Sequence, residues 1–138
     1  MLISTRGRYA LRVMVDLAEH QTGGYTAMKE VAARQEISLK YLERILPALA
    51  KNGMIEGVTG KGGGYRLCRR PEEYNIGEIL ELMEGSLSSV ACLAGGDNAC
   101  PRRTICPTLP MWKEYDQMVH DFFFGKSLKD LMSQPQSV

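Results

Sequence analysis

The sequence predicts a mostly α-helical fold with one small β-hairpin and a long helix near the C-terminus. Three observations predict it. Apolar residues recur at helical spacing in four segments of the first 85 residues and again over 109–124. One pair of short β-prone runs brackets the glycine-rich stretch GKGGG at 60–64. A chain of 138 residues with 44% hydrophobic content is enough for one modest core.

Residues 4–20 form the first expected helix, capped by Ser4 or Thr5, with an apolar stripe of Tyr9, Leu11, Val13, Met14, Leu17 and Ala18. The glycine pair in QTGGY ends it. Thr26 caps a short helix over 27–35 that turns Met28, Val31 and Ala32 inward. Ser38 caps a third helix whose buried side is Leu39, Leu42, Ile45, Leu46 and Leu49; Pro47 interrupts or bends it, and Asn52-Gly53 ends it. Residues 54–59 and 65–69 make the hairpin, with 60–64 as its turn. Asn75 and Glu78 resemble a capping box for a fourth helix with Ile76, Ile79, Leu80, Leu82 and Met83 inside. Pro107 and Pro110 border the long helix LPMWKEYDQMVHDFFF, which Gly125 stops; SLKDLM adds one more turn before a loose tail.

Helix, short helix, tight turn, helix, hairpin is the order of a winged helix-turn-helix, in which the helix after the turn enters the DNA major groove. The fold class expected is therefore mostly α with a β-hairpin wing, a winged helix-turn-helix DNA-binding domain plus a long C-terminal dimerisation helix. Its units are 1–85 for the winged domain, 86–108 for a cysteine loop, 109–132 for the dimerisation helix and 133–138 for the tail. Ser38, Lys40, Tyr41, Glu43 and Arg44 are the expected outward residues of the reading helix, with types suited to base edges and phosphate. Arg6, Arg8 and Arg12 are candidates for backbone contacts, as are Lys61, Gly62 and Gly63 at the wing tip. A plain flexible turn is the competing reading of the glycines; a phosphate-binding P-loop is excluded, because GxxxxGK[ST] is absent.

Charge agrees with a front half that meets a polyanion. Residues 1–70 hold 12 Lys/Arg against 6 Asp/Glu, and residues 71–138 hold 5 against 10. No apolar run reaches the roughly 18–20 residues of a membrane span, and the arginine-rich N-terminus is unlike a signal peptide. A cytoplasmic protein without a membrane partner is expected.

Cys92, Cys100 and Cys106 fall within fifteen residues on a loop rich in Gly, Pro and Asn. Their spacing, C-x7-C-x5-C, does not suit the two- to four-residue knuckles of zinc sites. It leaves open an iron–sulfur cluster, thiol redox sensing, or zinc completed by another group. Cys68 reads as a lone packing cysteine and His120 as an ordinary surface or interface histidine. Thiol redox enzymology is disfavoured, since CxxC is absent and neither histidine neighbours a cysteine. No enzyme is expected. Phe122, Phe123 and Phe124 cannot all face one small core, so Trp112, Tyr115, Val119, Phe122 and Phe123 are expected at a homodimer interface.

STRGRYAL, ISLKYLERIL, KNGMIEGVTGKGGGYRL, IGEIL and the later C…C…C…W order together resemble the Rrf-two family of winged-helix regulators, the IscR, NsrR and CymR group, over residues 1–125. The resemblance implies a dimeric transcriptional regulator on a pseudo-palindromic double-stranded DNA operator. It implies an iron–sulfur cluster on Cys92, Cys100 and Cys106, 2Fe–2S in preference to 4Fe–4S. It also implies cluster-free members that answer to a partner protein. A wing arginine that reads the minor groove in such regulators is Thr59 here, with Lys61 nearby. The family's known fourth ligands, a histidine three residues past the last cysteine or an aspartate of the partner's first helix, fall at Leu109 and Arg8. The fourth ligand is unassigned among Asp97, Thr104, Thr108, a small exogenous ligand and, across a dimer, Asp16, Glu19 or His20.

Overall fold

The computed structural model describes residues 2–95 and 100–132. Seven α-helices and two strands are defined among them: α1 (Thr5–Glu19), α2 (Met28–Gln35), α3 (Leu39–Lys51), β1 (Ile55–Val58), β2 (Gly64–Leu67), α4 (Ile76–Glu84), α5 (Ala91–Ala94), α6 (Leu109–Phe124) and α7 (Leu128–Leu131). A 3₁₀ turn over Pro71–Glu73 leads into α4. The expected tail and Asp97 lie outside the described residues.

α1 lies at the centre, packed against α2, α4, α7 and β2. Ser4 caps it by accepting from the Gly7 N–H at 3.1 Å. Val13, Met14 and Leu17 are essentially buried, joined by Leu42, Ile45 and Leu49 of α3 and by Ile79 and Leu80 of α4. Burying each such side chain is worth about 1.5–3 kcal/mol.

The structure corrects several local expectations. Thr26 is not the cap of α2. The cap position is Ala27, without a side-chain hydrogen bond, while Thr26 makes an antiparallel bridge to Tyr65 with both backbone bonds at 2.9 Å. Sheet pairing beside the wing takes precedence over capping there. α3 runs through Pro47, and Leu39 at its start is 38% exposed, because the first turn projects beyond the core. Asn75 caps α4 from its side chain at 2.6 Å; the Glu78 carboxylate turns to Arg69 instead of closing a capping box. Cys68 is exposed, one residue past the end of β2.

The wing pairs Ile55 with Leu67, Glu56 with Arg66, Gly57 with Tyr65 and Val58 with Gly64. Its glycines have a structural origin. At Gly64 φ is +147°, and an added Cβ would sit 2.0 Å from the Thr26 carbonyl oxygen. Tyr74 ties the wing's base to the core. The buried ring sends its hydroxyl to the Met54 carbonyl and accepts from the N–H groups of Cys68 (2.9 Å) and Arg69 (3.1 Å).

The expected unit 109–132 is divided. α6 ends at Phe124, and α7 returns to the winged domain with Leu128 fully buried. Backbone bonds from Ile76 to the Lys126 carbonyl (2.8 Å) and from Leu128 to the Tyr74 carbonyl (3.0 Å) hold that return. α6 docks on α4 at Gly77, where an added Cβ would lie 2.1 Å from the Phe124 ring. No described helix is long and apolar enough to cross a membrane.

Candidate nucleic-acid interface and cysteine loop

α2 and α3 meet through the turn Glu36–Ile37–Ser38. Glu36 has φ 54°, the one non-glycine residue with positive φ among the described residues. Ile37 is buried and anchors the turn, and the Ser38 side chain accepts from the Tyr41 N–H at 3.1 Å to start α3. Beyond this cap, Lys40, Glu43 and Arg44 are exposed, and Tyr41 is half-buried. Tyr41 meets Tyr9 edge-on, ring centroids 5.4 Å apart, which joins α1 to the first turn of α3.

The arginines divide by partner. Arg34 pairs with Asp16, Arg66 with Glu56, Arg69 with Glu78, and Arg70 with Glu72 and Glu73. These hold the fold. Arg6, Lys40, Arg44 and Lys61 are exposed and make no ion pair among the described residues. Arg8 is exposed, and its guanidinium donates to the Thr5 hydroxyl at 3.1 Å. At the wing tip Gly62 is exposed and Gly63 half-buried. Arg12 differs from its two neighbours: its guanidinium donates to the Gln35 side chain at 3.2 Å and to the Gln35 carbonyl, and lies 5.0 Å from the Tyr9 ring centroid.

Asp16 is the polar residue that reasoning from sequence missed as a structural centre. Its carboxylate is fully buried and accepts from Arg34 (2.7 and 3.0 Å) and from the Gln35 amide (2.8 Å). Burial alone would raise its pKa; the hydrogen bonds from Arg34 and Gln35 outweigh that and hold it below the usual carboxylate value. An acid flanked by Val15 and Leu17, within the apolar span of a helix, was the available signal. So committed a carboxylate is no free ligand across a dimer. His20 is also engaged, its Nδ1 2.9 Å from the Asp16 carbonyl oxygen.

Cys92 lies in the single turn of α5, an element not expected within the loop, and Cys106 lies three residues before α6. Cys92, Cys100 and Cys106 are free and half-buried. Among the described residues no three His, Cys, Asp or Glu side chains come together as a group that could hold a metal ion. A helical turn carries Cys92, and a proline-led turn at 101–105 lies between Cys100 and Cys106. The donor set itself suits iron–sulfur chemistry: three thiols, no disulfide, and Cys106 with its sulfur 3.3 Å from the Thr108 hydroxyl. That hydroxyl, with the N–H groups of Thr108 and Leu109, lowers the Cys106 pKa and favours thiolate. Thr104 is exposed. His120 is exposed, stacked on Phe124 at 4.2 Å between centroids.

α6 presents two apolar faces. Trp112, Val119 and Phe123 are half-buried, Phe123 against the chain's own core. The open face carries Tyr115 and Phe122 together with Met111 and Met118, at 44–66% exposure. Of the residues expected at an interface, Tyr115 and Phe122 therefore stand on the open face, and the two methionines join them.

A helix-turn-helix followed by a two-stranded wing defines a winged-helix DNA-binding regulator. The family model described as Rrf2, iron-dependent transcriptional regulator, matches residues 3–134, and the chain belongs to that family. It is 35% identical over 132 residues to the HTH-type transcriptional regulator IscR of Aliivibrio salmonicida, covering 96% of this chain and 77% of that one. Among solved structures it resembles CymR, the global cysteine regulator of B. subtilis, with a TM-score of 0.78 and 29% identity over 99% of both chains. It also resembles T. potens IscR, with a TM-score of 0.76 and 28% identity over 99% of this chain and 94% of the other. These relatives are regulators of transcription, not enzymes.

Proposed function

We propose that the chain is a homodimeric transcriptional regulator that reads a pseudo-palindromic DNA operator and senses iron–sulfur or redox status through its cysteine loop. The observation that carries the DNA reading is the Ser38-capped first turn of α3, which exposes Lys40, Glu43 and Arg44 without an ion pair among the described residues. Arg44 and Glu43 have the donor and acceptor types for guanine and cytosine edges; Lys40 and Ser38 suit phosphate. Arg6, Arg8 and the wing tip at Lys61, Gly62 and Gly63 extend the contact to the flanking backbone.

A second copy of the chain is the occupant proposed for the open face of α6. Met111, Tyr115, Met118 and Phe122 are spaced by four, three and four residues, the seam of two packed helices. A two-fold axis makes one such stripe its own complement and sets two reading helices at a fixed separation.

Cys92, Cys100 and Cys106 would hold an iron–sulfur cluster, 2Fe–2S in preference to 4Fe–4S. The half-buried thiols and the family support this. When bound, the cluster supplies a redox- and oxygen-sensitive link among the three thiolates. The chain's part is to bring those thiolates together, which draws α5 and the segment before α6 into one ordered loop between α4 and α6. DNA affinity then responds through the relative angle of the two winged domains. A coupling of this kind is worth about 1–3 kcal/mol. The similarity to CymR supports a second reading, a cluster-free regulator of the same fold that responds to a partner protein, a small molecule or thiol oxidation.

The test is anaerobic reconstitution with iron and sulfide, followed by visible absorption and iron and sulfide assays. A coloured protein that loses its chromophore on Cys92→Ala, with the fold retained, is expected. A colourless, iron-free protein that still binds DNA in a salt-dependent way would leave the cluster-free reading in its place.

A further inference from the structure

We propose that Arg12 is a positioning residue for DNA reading: it clamps the end of α2 and so fixes the pose of the recognition helix, and it does not contact phosphate. The inference rests on the DNA-reading role of α3.

α2 is only eight residues long, and its last carbonyl, that of Gln35, has no continuing helix to bond to. Arg12 supplies the missing donor from α1. The same guanidinium holds the Gln35 side-chain oxygen at 3.2 Å, and the Gln35 amide nitrogen is held by the buried Asp16 carboxylate at 2.8 Å. Arg34, on the turn of α2 just before Gln35, is fixed by the same carboxylate. The end of α2 is thus pinned at two adjacent residues, immediately before the left-handed Glu36 that redirects the chain into α3.

The clamp also reaches α3 directly. Arg12 lies over Tyr9, and Tyr9 meets Tyr41 in the first turn of the reading helix. A continuous line of contacts therefore runs Asp16, Gln35, Arg12, Tyr9, Tyr41. A cation at a helix C-terminus is favoured by the helix dipole, and the planar fork of arginine serves both Gln35 oxygens at once. Arg6 and Arg8 carry no comparable commitment: Arg6 has no ion pair among the described residues, and the Arg8 guanidinium bonds the neighbouring Thr5 hydroxyl. One helix thus carries arginines of two kinds, contacting and positioning.

The two roles differ in their salt dependence. Losing a phosphate contact lowers the slope of log affinity against log salt by about 0.9 and weakens all DNA alike. Losing a positioning contact weakens the specific complex and leaves the slope and non-specific binding in place. The probes are a duplex selected by the wild-type chain from a random-sequence pool and a random duplex of equal length. Arg12→Ala and Arg12→Lys are each expected to lower affinity for the selected duplex about tenfold, the scale of one mismatched base pair, with the slope and the random-duplex affinity unchanged. Gln35→Ala, which alters no charge, shows the same pattern with a smaller loss. These two charge-conserving variants decide the matter if Arg12→Ala does not fold. The proposal is overturned if Arg12→Lys keeps full affinity, if Arg12→Ala gives a shallower slope with equal loss on both duplexes, or if none of the variants changes selected-duplex binding. A wild-type chain that selects no duplex removes the DNA reading itself.

Discussion

Replacing Tyr74 with Phe takes one oxygen from the base of the wing and tests how the hairpin is held to the core. The ring is 1% exposed, and phenylalanine fills the same space, so packing is kept. What goes is a hydroxyl that donates to the Met54 carbonyl and accepts from two backbone N–H groups, those of Cys68 and Arg69. Cys68 retains a longer bond to Met54 at 3.5 Å, which leaves Arg69 as the orphaned donor. A net hydrogen bond is worth about 1 kcal/mol and a buried unsatisfied group about 1–3 kcal/mol. Partial burial lets water offset some of this, so the loss is about 2 kcal/mol. A chain of 138 residues melts with an entropy near ~0.3 kcal/mol/K, so Tm should fall by about 7 °C. Thermal unfolding followed by circular dichroism measures the fall, and amide exchange locates it. Exchange should quicken at Cys68 and Arg69 while amides in the middle of α1 and α4 stay protected. A Tm within about 1 °C of wild type, with those two amides unchanged, refutes the anchoring role.

Two further outcomes are expected. Asp16→Asn should cost about 2 kcal/mol near neutral pH, the scale of charge-assisted hydrogen bonds. The folded pKa of Asp16 is depressed, so its stabilisation is present above the unfolded value near ~3.9 and is lost as pH falls through the lower folded value. Urea unfolding of both proteins should thus show the gap closing below about pH 4, and a gap constant down to about pH 2.5 contradicts the assignment. Met118→Glu, at a position 66% exposed in the protomer, should shift the chain from dimer to monomer in sedimentation while leaving far-ultraviolet dichroism intact. A dimer of unchanged affinity rules out this face of α6.

The order of helices, the hairpin and the Ser38 cap were legible in the sequence, because each depends on local signals: period, cap residue and turn glycine. The long helix was legible over the same 109–124 that α6 occupies. Which of its faces stays open was not, since Trp112 and Tyr115 are equally apolar as letters and differ only in what packs on them. The return of α7 escaped too, since four residues of amphipathic sequence do not reveal that Leu128 will be buried beside Tyr74. Thr26 has the chemistry of a cap and the position of a bridge, and the approach of Tyr65 decided between them.

By itself the sequence determined the class of machine, a winged helix-turn-helix with a cysteine loop and a long apolar helix, since periodicity and motif spacing survive without coordinates. Only the tertiary structure decided what each charge does. Arg6, Arg8 and Arg12 recur on one helix as the same residue type, yet Arg12 alone meets the end of α2. Asp16 looks like any surface acid until Arg34 and Gln35, 18 and 19 residues away, close over it. An ionised group is defined by its partners, and those partners are brought to it by folding.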